Sequence, residues 1–456
     1  TIDEDSILLF VVPFPPSEDI AIGKKLTPVM AYGKMFSNRV LFSSTTKRDG
    51  IITNTDITAH IIDFFELEKE PSMIGHELST IDKDMPLKFI NDTNTVCAFN
   101  YINRPAAIRV FILFIIATLL FTILFAVYFK KYLIYMKPVL TGVMITPMAF
   151  LLISLFNPTS ATKFNLLMAC FITVFGLAIA FFLKDNLSIF TVTLLTSTLL
   201  ILIDTFMGSP LARTSILSYD PIVGARFYGI GNEFMGFLLG STIIGTASLI
   251  DKYRKHHKLV KLFSIILLIV VLVTLALPSL GTNVGGTIAA FIGFGIYTIL
   301  LFKEKITTKD ITFIGILLFV MLLALFIYDG MQPAETQSHI GQTSSMVKQS
   351  SIISLIQVFK RKLLMNYKLI RYSTWTWALL AIITALVILF RWPVGILKEI
   401  FRRHRYLYSG FIGGIVGALA AFVFNDSGVV AAAMSMLPIS IPLILLCVDE
   451  MHERMV

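Results

Sequence analysis

The sequence predicts a polytopic α-helical membrane protein of about eleven transmembrane helices, with a small extracytoplasmic α/β piece at its N-terminus. Three observations predict it. Of 456 residues, 56% are hydrophobic and only 15% charged, against about 45–50% and about 25% in a soluble globular chain. Apolar stretches of about 20 residues, the length that crosses a bilayer, recur from Ala107 to Val448. The polar connections sort by charge: loops rich in Lys and Arg alternate with loops carrying Asp, Asn, Glu, Gly and Pro. The net charge of +9 invites a nucleic-acid reading. Its cations lie mostly in short loops between apolar spans, so membrane topology accounts for them and no nucleic-acid partner is expected. The three cysteines, Cys97, Cys170 and Cys447, make no disulfide framework.

Residues 1–104 are the first expected domain. Ile7–Val12 reads as a short apolar strand, Leu26–Tyr32 and Gly50–Ile52 as further strands, and Asp56–Glu66 as an amphipathic helix capped by Thr55 or Asp56. Residues 67–104 are polar and read as loop leading into Arg104-Pro105. The chain starts inside what reads as a folded domain, without initiator Met or signal peptide, which points to a processed or truncated product.

Residues 105–456 are the expected bundle. Spans fall near 107–129, 139–156, 164–183, 187–207, 233–250, 260–278, 284–302, 311–328, 374–391, 408–425 and 429–448. Lys130, Lys131 and Lys137 follow the first span. Lys252, Arg254, Lys255, Lys258 and Lys261 follow the fifth, and Lys303, Lys305 and Lys309 the seventh. Arg391, Lys398, Arg402, Arg403 and Arg405 follow the ninth. If each span crosses once, these loops share one side, and the positive-inside bias makes it cytoplasmic. The N-terminal piece is then outside a bacterial plasma membrane and Val456 inside. One outer segment, 346–372, carries Lys348, Lys360, Arg361, Lys362, Lys368 and Arg371 between apolar residues from Ile352 to Phe359. It reads as an amphipathic helix on the outer leaflet. Its role is either to pack on the bundle or to form a basic rim that recruits anionic lipid or a phosphorylated substrate.

Four polar motifs fall on the outer face. They are Ile203-Asp204-Thr205-Phe206; the loop from Tyr219-Asp220-Pro221 through Arg226 and Gly229 to Gly231-Asn232-Glu233-Phe234; Pro278 to Gly286, including Asn283; and Phe424-Asn425-Asp426-Ser427-Gly428. Ionisable groups at membrane depth are functional candidates by default, and irregular backbone there must be buried in protein or line a wet cavity. Arg226 offers a planar charged fork suited to phosphate or carboxylate. Glu233, Asp204 and Asp426 offer acceptors, a base or oxygen ligands for a divalent cation, although no specific metal signature stands in the sequence. The alternative is that these groups satisfy each other and close the bundle. His256 and His257 read as solvated loop charge, and His339, in Gln337-Ser338-His339, as a weaker candidate base. No Walker-type loop, Cys/His metal spacing or dinucleotide fingerprint occurs.

Two resemblances bear on function. Residues 5–66 resemble the C-terminal end of an alkaline-phosphatase-superfamily domain, the fold of sulfatases and cofactor-independent phosphoglycerate mutases. The likeness is carried by the Ile7–Val12 strand, Leu26-Thr27-Pro28-Val29-Met30-Ala31-Tyr32-Gly33, and Ser43 through Gly50-Ile51-Ile52-Thr53-Asn54-Thr55-Asp56-Ile57. Where that family places Ser-Asp-His-Gly this chain has Pro13-Phe14-Pro15-Pro16, and Lys24 and Lys25 stand where another ligand His is frequent. The resemblance therefore implies a non-catalytic ectodomain remnant without a two-metal site. Residues 200–375 resemble the O-antigen ligase and polymerase superfamily, which transfers glycans from polyprenyl diphosphate carriers at the outer face. Arg226, Gly229, Gly231 and Asn232 match its first pattern, Ser279-Leu280-Gly281 stands for a later Ser-Arg-Gly without the Arg, and the outer loop 329–373 follows in order.

The expected function is a transferase acting on a polyprenyl-(di)phosphate-linked glycan or phospho-substrate in the envelope. Arg226, Arg213, Asn232, Asn283, Asn425 and Arg371 would bind substrate; Glu233, Asp426 and Asp204 would supply acid/base chemistry. The alternatives are an ion-coupled transporter or lipid flippase, against which the far halves of the spans read as almost free of polar residues, and a non-catalytic scaffold. Membrane lipid, with a lipid-linked carrier, is the expected partner.

Overall fold

The computed structural model describes residues 6–33, 36, 38–70, 73–331, 352–391 and 395–454. Among these, ten helices are long and apolar enough to cross a membrane, eleven if one bent pair counts as a span. The chain is a multi-pass helical membrane protein.

The N-terminal segment holds two antiparallel pairs of strands. β1 (Leu8–Val11) lies against β2 (Val29–Tyr32), with Leu8 opposite Tyr32. β3 (Val40–Phe42) lies against β4 (Ser79–Ile81), with Val40 opposite Ile81. The strand expected at Gly50–Ile52 does not form; that stretch is turn and loop. Two short helices, α1 (Ser17–Ala21) and α2 (Asn54–Phe64), complete the segment. Helix α2 starts earlier than expected, capped by Thr53 in a capping box with Asp56. The Asp56 carboxylate is fully buried. It accepts from Thr53 N at 2.7 Å, Thr45 Oγ1 at 2.5 Å and His76 N at 3.1 Å, so its burial is compensated and three loops are tied to one side chain.

Helix α3 (Pro86–Tyr128) runs 43 residues, about 65 Å at 1.5 Å per residue, roughly twice the hydrocarbon thickness of a bilayer. Residues 86–104, expected as loop, are its first half. Their run Asn91-Asp92-Thr93-Asn94-Thr95 has poor helix propensity, and tertiary contact overrides it. Cys97, Ala98 and Phe99 are buried, Lys25 Nζ donates to Tyr101 OH at 2.6 Å, and Asn100 Nδ2 donates to Thr214 O at 2.9 Å. Pro105 stands inside the helix rather than ending a loop.

The bundle continues with α4 (Met136–Leu152), α5 (Ala161–Phe182), α6 (Asn186–Phe206), the short α7 (Pro210–Thr214), α8 (Asn232–Lys252), α9 (His257–Ala276), α10 (Val284–Phe302) and α11 (Thr308–Gly330). After the undescribed stretch come α12 (Ile352–Tyr372), α13 (Trp375–Arg391), α14 (Ile396–Arg403), α15 (Arg405–Phe424) and α16 (Gly428–Glu453). The apolar window of α16 is wholly buried and that of α8 is 89% buried, so these two form the centre; those of α5 and α11 are 11% and 6% buried and face outward. Glycines set the central packing. A Cβ on Gly240 of α8 would lie 2.4 Å from Ser435 O of α16, and one on Gly293 of α10 2.9 Å from Gly417 Cα of α15. Small residues allow such approach where lipid supplies no hydrophobic drive between helices.

The pair Leu364–Tyr372 and Trp375–Leu389 is bent by 80°, so α12 turns sharply away from the direction of α13. Of the amphipathic segment expected at 346–372, residues 346–351 lie outside the described residues, as do Gln337, Ser338 and His339. At one end of the bundle, basic residues from the first, fifth and ninth connections meet acidic partners. Lys137 pairs with Asp449 at 3.1 Å, Arg254 with Asp251 at 2.8 Å, Arg403 with Glu450 at 3.4 Å, and Arg405 with Glu304 of the seventh connection at 3.4 Å.

Candidate functional site

The polar motifs gather at the other end, where the N-terminal segment also sits. The first unit is a turn built on Asp204. Helix α6 ends at Phe206, and the chain reverses through Gly208 and Ser209, both with positive φ. The buried Asp204 accepts from Leu211 N at 2.7 Å and Ala212 N at 3.1 Å, the first free N–H groups of α7. Both carboxylate oxygens are thus engaged, and the turn fixes where Arg213 emerges.

The second unit clasps the two glycine-rich motifs. Gly229 has φ +80°, and a Cβ there would lie 2.4 Å from Gly281 O. Only glycine fits this approach, and it lets Ile230 N donate to Gly281 O at 2.8 Å. Arg226 donates to Ile230 O and, at 3.3 Å, to Thr282 O. Asn283 caps α10 by accepting from Gly286 N at 2.8 Å, and its amide donates to Ile230 O at 2.9 Å and Asn232 Oδ1 at 3.2 Å. Gly285 leaves room for Asn425, whose Oδ1 would stand 2.5 Å from a Cβ at that position. Burial pushes the Arg226 guanidinium below its usual pKa, and Tyr219, Tyr228, Glu233 and Asp426 pull it back up, so all four lie within reach of its charge.

The third unit is an ion pair absent from the sequence-based expectation. Arg104 of α3 binds Glu233 Oε1 of α8 at 2.5 Å and Ile216 O at 3.1 Å. The fourth joins the N-terminal segment to the bundle: Arg48 Nη2 donates to Arg213 O at 3.0 Å. Burial lowers the pKa of Arg48 and raises those of Tyr219 and Asp220. Arg48, Arg213 and Arg226 all favour the Tyr219 phenolate, and Arg104 and Arg48 favour the Asp220 carboxylate.

Of the expected residues, Arg226, Asn232, Glu233, Asn283 and Asn425 converge, with the exposed Asp426 acting on Arg226. Asp204 and Arg213 adjoin them through the field at Tyr219. Arg371, in the last turn of α12, stacks over the Tyr372 ring at 5.4 Å. Sequence reasoning missed Arg48, Arg104, Ser218 and Asn366. Asn366 is a buried amide on α12 that donates to Asn425 O at 3.0 Å and accepts from Gly428 N at 2.7 Å, pinning the α15–α16 corner. A lone amide within the Leu364–Leu369 stretch was the available signal.

The far halves of the spans carry more polar groups than expected. There Thr191 meets Ser248 at 3.0 Å across α6 and α8, and at mid-depth Thr198 meets Thr242 at 3.3 Å. Thr242 and Ser248 also bond carbonyls of their own helix, at 2.6 and 2.9 Å, so a hydropathy count hides them. Among the described residues no group of three or more His, Cys, Asp or Glu is arranged to hold a metal ion. Compared with protein-family models, curated proteins and solved structures, the chain matches none.

Proposed function

We propose that the chain is a cell-envelope transferase acting on a polyprenyl-phosphate- or diphosphate-linked glycan or phospho-substrate at the outer face of the bacterial plasma membrane. One observation carries this reading. Arg48, Arg104, Arg213 and Arg226 gather at one end of an apolar bundle, beside the carboxylates of Glu233 and Asp426. Displacing a diphosphate needs fixed cations where charge develops, and the acceptor hydroxyl needs a base within hydrogen-bond reach. In this reading Arg226 and Arg213 face the diphosphate, and Asn232, Asn283 and Asn425 shape the backbone around it. Asp426, exposed and within reach of the Arg226 charge, serves as the base, and Glu233, paired with Arg104, stands beside it. Asp204 orients Arg213 through α7. The basic helix α12, with Arg371, serves as a rim for anionic lipid. The N-terminal segment is a non-catalytic ectodomain remnant of phosphatase type that covers the site.

The test is transfer in proteoliposomes supplied with a lipid-diphosphate-linked glycan and its acceptor. Asp426→Asn is expected to cut turnover by about 10²-fold, the lower end of what a positioned base contributes, with folded yield unchanged. Undiminished turnover in that variant removes Asp426 as the base. Substrate flux across the vesicle without a new covalent product favours a transporter or flippase. The hydroxyl pairs between α6 and α8, one buried and one part-buried, give that second reading its footing.

A further inference from the structure

We infer that Arg48, Arg213, Ser218 and Tyr219 line a binding site for a phosphoryl oxyanion at the seam between the N-terminal segment and the bundle. The inference deepens the transferase reading by naming the group that is held, and it is argued from binding alone.

The seam is built. Arg48 is 6% exposed and Ser218 fully buried. The bond from Arg48 Nη2 to the Arg213 carbonyl brings the two arginines to one place. Arg48 Nη1, Arg213 Nε, Ser218 Oγ and Tyr219 OH are all shielded from solvent and have no hydrogen-bond partner among the described residues. Buried polar atoms are nearly always paired. The guanidinium groups can only donate and the two hydroxyls can also accept, yet none of the four atoms is bonded to another.

The nearby carboxylates do not answer them. Asp204 spends both oxygens on Leu211 N and Ala212 N. Asp220 Oδ1 accepts from Ile222 N at 2.8 Å, and Glu233 Oε1 is held by Arg104. These acids balance the charge of the arginines without supplying an acceptor to the four open donors. A phosphoryl group supplies several acceptor oxygens in a geometry that matches the guanidinium fork. Ser218 and Tyr219 also adjoin Gly231, the residue that opens α8. A Cβ there would lie 4.0 Å from Ser218 Oγ and 3.8 Å from the Tyr219 ring. The seam therefore lies against the positive end of a 21-residue helix.

Two sources carry this chemistry, a soluble phosphate or diphosphate and the phosphate of a lipid. The experiment follows the thermal midpoint of the purified full chain in two arms. In one, inorganic pyrophosphate is titrated in detergent at constant ionic strength. In the other, nanodiscs of phosphatidylcholine with and without phosphatidic acid are compared. Tyr219→Phe is the decisive variant, because it removes only an oxygen that has no partner and so preserves the fold. A saturable rise with pyrophosphate, with apparent Kd raised about tenfold in Tyr219→Phe and unchanged in Lys255→Gln at the opposite end of the bundle, supports a site open to soluble diphosphate. A rise seen only with phosphatidic acid, and lost in Tyr219→Phe, assigns the same site to lipid phosphate. No saturable effect from either probe, or equal responses in wild type and Tyr219→Phe, overturns the site and leaves water to satisfy the donors. Turnover is not read in either arm. Intact binding without transfer removes the transferase reading alone, and intact transfer without binding removes this site alone.

Discussion

Arg104 and Glu233 are 22% and 12% exposed in their side chains, and their ion pair links the long α3 to the central α8. A pair this enclosed contributes little against a well-packed apolar pair, but removing one partner strands the other charge. Arg104→Gln is therefore expected to destabilise the fold by about 2–4 kcal/mol, the usual cost reduced for the remaining exposure. Replacing both residues by Met should recover most of the loss. Unfolding midpoints in mild detergent check this, and a single variant that melts with wild type removes the stabilising role. His60 on α2 gives a second prediction. Both ring nitrogens are buried without a partner among the described residues, and the ring packs edge-on to Phe36 at 5.8 Å. Burial holds its pKa below the ordinary value of about 6.5, with Asp63 offsetting only part. The folded form prefers the neutral ring, so its contribution is present above about pH 6.5 and is lost as pH falls through the lower folded value. Hydrogen exchange of α2 should accelerate between pH 7 and 5 in wild type and lose that dependence in His60→Phe. Single residues of these kinds were poorly legible in the sequence. Arg104 looked like a boundary beside Pro105, and Arg48 stood in the Lys47-Arg48-Asp49-Gly50 stretch with no signal of its own. Only packing shows that each is enclosed.

The helices themselves were far more legible, because about 20 apolar residues in a row leave little choice of structure. Span 284–302 falls on α10 residue for residue, and the others differ by a few residues at their ends, except the first, whose helix begins at Pro86. Failures came where apolarity is silent. Residues 86–104 are polar yet helical, since they extend α3 beyond any bilayer and pack on the N-terminal segment. The glycines of α8 gave no sign of their partners. An exposed helical Gly→Ala change gains about 1 kcal/mol of propensity. At Gly240 the new methyl would stand 2.4 Å from Ser435 O and 2.6 Å from the Pro438 ring. Neither the α16 backbone nor a proline ring can yield cheaply, and overpacking of this type costs about 1–3 kcal/mol. The balance reverses sign, and Gly240→Ala should lower the unfolding midpoint, whereas Gly315→Ala on α11, with open space around it, should not. Equal midpoints for the two variants would mean that α8 and α16 are not held at backbone contact.

At the scale of the whole molecule, the two ends of the bundle are chemically unlike. One end gathers Arg254, Arg403 and Arg405, with side chains 54%, 50% and 52% exposed, and the more enclosed Lys137, each paired with an acid. The other end encloses Arg48, Arg104, Arg213 and Arg226 in bonds to backbone carbonyls and a carboxylate. Positive-inside sorting acts on short loops, through the cost of moving Lys and Arg across the membrane. On the topology proposed above, the first end is cytoplasmic and the enclosed arginines lie at the outer face, packed against protein. The sequence could count charges per loop, but it could not separate solvated cations from enclosed ones, and that distinction carries the functional argument. Sidedness is testable in intact cells. Cys97 and Cys447 are buried and Cys170 is exposed, so all three are first replaced by Ser or Ala. Single cysteines are then placed at Glu18 in α1, which lies at the enclosed end, and at Lys255, which lies at the solvated end. A membrane-impermeant maleimide is expected to label the Glu18→Cys variant in intact cells and the Lys255→Cys variant only after the membrane is opened. The opposite pattern would put the arginine site in the cytoplasm, where a carrier-linked glycan donor at the outer face cannot reach it, and the transferase proposal would fall with the topology.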